Sequence, residues 1–71
     1  MTGLELVEAC QAALKTGVDF PTIWNEILKA SPLVIGPPVQ TVRDGRALLE
    51  IRLLSGGTLV FDSATNKIAA Q

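Results

Sequence analysis

The sequence predicts a two-layer α+β fold, with an N-terminal helical hairpin packed on one face of a four-stranded antiparallel β-meander. Apolar residues recur at helical spacing up to about residue 30 and at alternate positions from Val39 onward. Three turn signals punctuate the second half: Asp44-Gly45, Gly56-Gly57 and Ser63-Ala64-Thr65-Asn66. A chain of 71 residues has room for one domain, read here as spanning 1–71.

The first helix is expected over about 3–16. Thr2 and Glu5 have the spacing of a capping box, in which each side chain satisfies a free N–H of the first turn. Met1 and Leu6 stand at the two positions of a hydrophobic staple. Leu6, Val7, Cys10, Ala13 and Leu14 form one apolar stripe. Lys15 favours the negative end of the helix dipole, and Gly17 follows as a left-handed stop.

The second helix is expected over about 20–30. Asp19 can cap Thr22, and Pro21 is tolerated in a first turn, where its missing N–H has no intrahelical partner. Phe20, Ile23, Trp24, Ile27 and Leu28 repeat the helical stripe, with Trp24 as the anchor between helix and sheet. Ser31-Pro32 ends the helix. Residues 32–38 read as a stiff crossing, with Pro37-Pro38 extended and Leu33, Val34 and Ile35 packed under the sheet or at its margin.

Strands are expected at about 39–43, 46–54, 58–62 and 67–70. A two-residue Asp44-Gly45 turn would oppose Arg43 to Arg46, so a three-residue turn pairing Val42 with Arg46 is preferred. It places Val39 and Thr41 on the core face with Ala47, Leu49, Ile51 and Leu53. A three-residue Ser55-Gly56-Gly57 loop then sets Leu59 and Phe61 across from Leu53 and Ile51, because the alternative register would bury Asp62. The last turn pairs Asp62 with Lys67 and Phe61 with Ile68.

Composition argues against several classes of function. The chain has no His, no Tyr and one Cys, so no dense catalytic or metal-ligating constellation exists, and no enzyme, cofactor or metal site is expected. Cys10 lies in an apolar helix stripe with no His to activate it and reads as a core residue. Ser55-Gly56-Gly57-Thr58 lacks the helix and Lys of a phosphate loop and reads as a turn. No segment carries a motif by which a family could be recognised. The net charge is −1 and the six basic residues are scattered, which gives no footprint for nucleic acid. No apolar run reaches membrane-spanning length, the N-terminus lacks the features of a secretory signal, and a lone Cys fits a reducing compartment. The reading is a cytoplasmic protein complete from its own Met.

The chain is 48% hydrophobic, more than so small an interior can hold, so part of its apolar surface must either stay exposed or be covered by a partner. The function read from this is a small non-catalytic protein-interaction or structural module, self-associating or docking on a larger protein. The candidate contact is the outer sheet face. Leu48, Leu54 and Val60 surround Glu50 and Arg52 there, with Gln40 and Val42 on the same face. A second candidate is the C-terminal strand 67–70, an open edge without Pro that could pair with its symmetry mate or with a partner's strand. The alternative reading is a small nucleic-acid-binding domain using the outer face and a rim of Arg43, Arg46 and Lys67, with Asp44 and Asp62 among them.

Overall fold

The computed structural model describes residues 2–71. Helix α1 (Gly3–Lys15) is followed by helix α2 (Phe20–Ile23), which runs on into a π turn (Trp24–Leu28). Strands β1 (Val34–Arg43), β2 (Arg46–Leu53), β3 (Thr58–Asp62) and β4 (Lys67–Ala70) form one antiparallel sheet in sequence order. The helical segments pack on one face of it, so the arrangement is α+β.

Helix α1 begins and ends on specific hydrogen bonds. Thr2 Oγ1 accepts from the Glu5 N–H and Glu5 Oε1 accepts from the Thr2 N–H, both at 3.2 Å, which completes the expected capping box. At the far end Gly17 takes φ 91°, and the Val18 N–H donates to the Ala13 carbonyl at 3.1 Å while the Gly17 N–H donates to Leu14 at 3.2 Å. A left-handed residue there satisfies two carbonyls that a helix end otherwise leaves free. The expected staple partner Met1 lies outside the described residues.

The second helix departs from the expected 20–30 span. It starts as read, with Asp19 Oδ1 accepting from the Thr22 N–H at 3.0 Å. After Ile23 it widens, and the Lys29 N–H reaches back five residues to the Trp24 carbonyl at 2.8 Å. The core supplies the reason. In an α-helix residues five apart diverge by about 140° around the axis. A π turn brings such residues nearly into line. Ile23 and Leu28 are five apart and both are fully buried. Trp24, at the start of the π turn, is half-buried against the core rather than anchoring it.

Residues 34–38 are not a crossing but the start of β1. Val34 pairs with Leu53 and Ile35 with Arg52; the register then shifts, and Val39 pairs with Glu50. Gly36, at φ 75°, and Pro37-Pro38 form the bulge between. Pro lacks the N–H that a regular ladder needs, so a bulge on an edge strand accommodates the pair.

Two turns differ from expectation. Arg43 pairs with Arg46, so Asp44-Gly45 is a two-residue turn with φ 52° and 74°, the left-handed pair that a tight hairpin favours. Like charges facing each other across strands cost roughly 0.2–1 kcal/mol. Here Arg43 pairs with Glu50 at 3.0 Å and Arg46 with Asp62, exposed contacts of similar magnitude, so turn geometry prevails. In the next hairpin Leu59 faces Ile51 and Phe61 faces Leu49, two residues away from the expected register. The loop is Leu54-Ser55-Gly56, closed by the Gly56 N–H on the Leu53 carbonyl at 3.0 Å, with Gly56 rather than Gly57 left-handed. A shift of two preserves the face, so Leu59 and Phe61 remain in the core as read. The β3–β4 register matches the reading, with Asp62 opposite Lys67 and Phe61 opposite Ile68.

The core joins Leu6, Val7, Cys10 and Leu14 of α1 and Phe20, Ile23 and Leu28 to Ile51, Leu53, Leu59, Phe61 and Ile68 of the sheet. Phe20 stacks on Phe61 with ring centroids 4.6 Å apart, tying the second helix to β3.

Candidate interaction surface

The helices cover one face of the sheet and leave the other bare. Cross-strand register sorts the bare face into rows. One row is Val39, Glu50, Val60 and Ala69, and the next is Ile35, Arg52, Thr58 and Gln71. On the other side lie Thr41, Leu48, Asp62 and Lys67.

Of the five sequence-derived site residues, four share this face. Leu48 and Glu50 are half-buried, Arg52 is exposed, and Val60 is nearly covered by its neighbours. Leu54 is exposed but sits in the turn after β2, not in the strand. Its N–H donates to the Leu33 carbonyl at 2.7 Å, which holds that turn against the start of β1. Gln40 and Val42 do not belong to this face. The two-residue turn places them on the helix-covered side, where they stay exposed because the hairpin end runs past the helical layer.

Sequence reasoning missed Ile35 and Val39. They lie on the bare face at 44% and 51% exposure, beside Arg52 and Glu50. The signal that could have placed Val39 was Asp44-Gly45 itself, the dipeptide most typical of a tight hairpin. Weighing it above the Arg43–Arg46 repulsion moves Val39 outward.

The rim residues do gather. Arg43, Asp44, Arg46, Asp62 and Lys67 border a shallow groove of about 360 Å³ whose floor includes Leu48 and Val60. Its cations are largely spoken for, since Arg43 pairs with Glu50 and Arg46 with Asp62. The Asp62 carboxylate also accepts from the Ala64 N–H at 2.9 Å, which fixes it for Arg46.

Cys10 is fully buried, and burial pushes its thiol from an ordinary 9.0 up to about 11. The thiolate is therefore rare near neutral pH. Two results are expected. A thiol reagent should label Cys10 only as fast as the chain opens, so labelling should accelerate in urea. Stability should also fall as pH rises from about 9 to about 11, because the unfolded thiol releases its proton first. Rapid labelling of the folded chain, or a flat alkaline limb, would contradict the buried placement.

No family model matches the chain, and neither does any curated protein or solved structure. Among the described residues no helix is long and apolar enough to cross a membrane.

Proposed function

We propose that the chain is a non-catalytic protein-interaction module that docks another protein on its bare sheet face. One observation carries the reading: Ile35, Val39 and Leu48, floored by the nearly buried Val60, form an apolar surface around Glu50 and Arg52 that no layer of the described residues covers. The outward face of a solvated antiparallel sheet is ordinarily polar. The mixture of branched apolar side chains with the Arg52 guanidinium, which makes no ion pair among the described residues, suits a protein partner that brings its own apolar patch and a carboxylate. In this reading the whole chain is one cytoplasmic domain, and the two helical segments act as a hairpin that braces the sheet from behind. The nucleic-acid alternative is less well supported, because two of its three rim cations face carboxylates already.

Photo-crosslinking in the source cells tests the reading. A benzophenone side chain at Val39 or Leu48 should give one discrete protein adduct, and Arg52→Glu should abolish it. The same group at Glu26, exposed in the helical layer, should not give that adduct. Equal adducts from both faces, or none from the sheet face, would end the proposal.

A further inference from the structure

We infer that the chain also pairs with a second copy of itself through β4, edge to edge, with the outer flanks of the two α1 helices meeting above the junction. This surface is distinct from the bare face and stands without it.

The main-chain hydrogen bonds decide which groups of β4 are free. The Gln71 N–H donates to the Thr58 carbonyl at 2.8 Å, and the Thr58 N–H to the Gln71 carbonyl at 3.4 Å. In an antiparallel ladder such bonded pairs alternate with non-bonded ones. Val60–Ala69 and Asp62–Lys67 are then bonded pairs, while Ile68 and Ala70, opposite Phe61 and Leu59, turn their N–H and C=O groups away from β3. A side chain confirms the direction independently: Gln11 Nε2 donates to the Ile68 carbonyl at 3.0 Å from the far side.

Two outward-facing residues separated by one are what an antiparallel copy requires. A two-fold axis at Ala69 sets Ile68 opposite the second copy's Ala70 and Ala70 opposite the second copy's Ile68. Both pairs then exchange N–H···O bonds in both directions. The same register sets Lys67 opposite the second copy's Gln71, so like charges do not meet. The other sheet edge is a poorer template, since Pro37 and Pro38 offer it no N–H and the bulge bends it.

Helix α1 supplies the matching layer. Leu4, Glu8, Gln11 and Lys15 recur at i, i+4, i+7 and i+11, one exposed stripe along its flank. The Gln11–Ile68 contact places that stripe over the β4 edge. The inferred axis at Ala69 lies beside Gln11, and in the proposed dimer it crosses the stripe between Gln11 and Ala12. The antiparallel stripe of the second copy then sets its Lys15 against Glu8, and its Glu8 against Lys15. An open groove of about 550 Å³ already lies between this flank and β4, bordered by Gln11, Leu14, Lys15, Lys67 and Ile68. In the paired state the two sheets run on as eight strands, and the bare faces lie side by side on one surface.

Sedimentation of the full chain across the micromolar range tests the pairing. The parent should dimerise. Ala70→Pro removes an outward N–H without breaking a bond to β3, and should weaken the dimer at least tenfold. Glu8→Lys and Lys15→Glu should each weaken it by roughly threefold to tenfold, and the double exchange should restore it. Gln11→Ala removes the competitor for the Ile68 carbonyl and should tighten the dimer. If circular dichroism shows that Ala70→Pro disturbs the fold, the charge exchange alone decides. A parent that stays monomeric overturns the inference. So does a dimer that survives Ala70→Pro and each single charge reversal. A dimer broken only by Val39→Lys belongs to the bare-face side and would sink the edge while sparing the proposed docking function. Loss of the Val39 and Leu48 crosslinks with an intact, Ala70→Pro-sensitive dimer would do the opposite.

Discussion

Truncating Leu59 to Ala is expected to leave most of the chain unfolded at room temperature. Leu59 is fully buried, lies on the inner side of β3 opposite Ile51, and belongs to the core shared by helices and sheet. Removing a buried Leu side chain costs about 2–5 kcal/mol, combining lost transfer energy with the cavity left behind. A core of this size supplies roughly 3–5 kcal/mol in all, with no disulfide in reserve. The loss is therefore comparable to the whole margin. Urea titration followed by Trp24 fluorescence measures it, because Trp24 packs half-buried against the same core. Leu54→Ala is the control: Leu54 is 68% exposed, and its loss should stay within about 0.5 kcal/mol. A Leu59→Ala midpoint close to the parent's would mean that β3 does not pack as described.

Gly45→Val is expected to cost about 1–3 kcal/mol, although no side chain stands in the way. A Cβ at Gly45 would meet nothing within 4 Å, so crowding is not the cause. The cost lies in the backbone, which holds φ at 74° where a β-branched residue is strained. At this chain length each kcal/mol lowers the melting temperature by roughly 4–8 °C. Gly57→Ala is the comparison. Gly57 does not take a left-handed φ, and its nearest neighbour stands 3.8 Å from the added carbon, so the change should be small. Equal melting temperatures for parent and Gly45→Val would show that the hairpin does not close on a left-handed pair.

Most of the fold was legible because its signals were local. The caps at Thr2 and Asp19, the stop at Gly17 and the alternation in β2 and β3 each depend on residues a few positions apart. The errors arose where two local effects had to be weighed or where a distant contact decided. Arg43 facing Arg46 looked prohibitive until Glu50 and Asp62, remote in sequence, supplied counter-charges. The bulge at Gly36-Pro37-Pro38 was hidden because Pro usually ends a strand rather than interrupting one. The π turn could not be read from the apolar stripe, since Phe20, Ile23, Trp24, Ile27 and Leu28 fit an uninterrupted α-helix equally well. Of the candidate surface, Leu48, Glu50, Arg52 and Val60 were placed on the right face by strand alternation alone. Val39 was lost with the turn, and Ile35 with the bulge.

The π turn also marks where the length of this chain can change by one. A π turn is an α-helix carrying one residue more than its winding needs. Loss of the exposed Asn25 would close Trp24–Leu28 into ordinary α winding and leave every strand with its own partner. The same loss inside β2 or β3 would turn the remainder of that strand inside out, sending leucines to solvent and carboxylates to the core. Drift by single-residue insertion or deletion is thus confined to the helical layer, where Ile23 and Leu28 would become neighbours four apart and stay on one face.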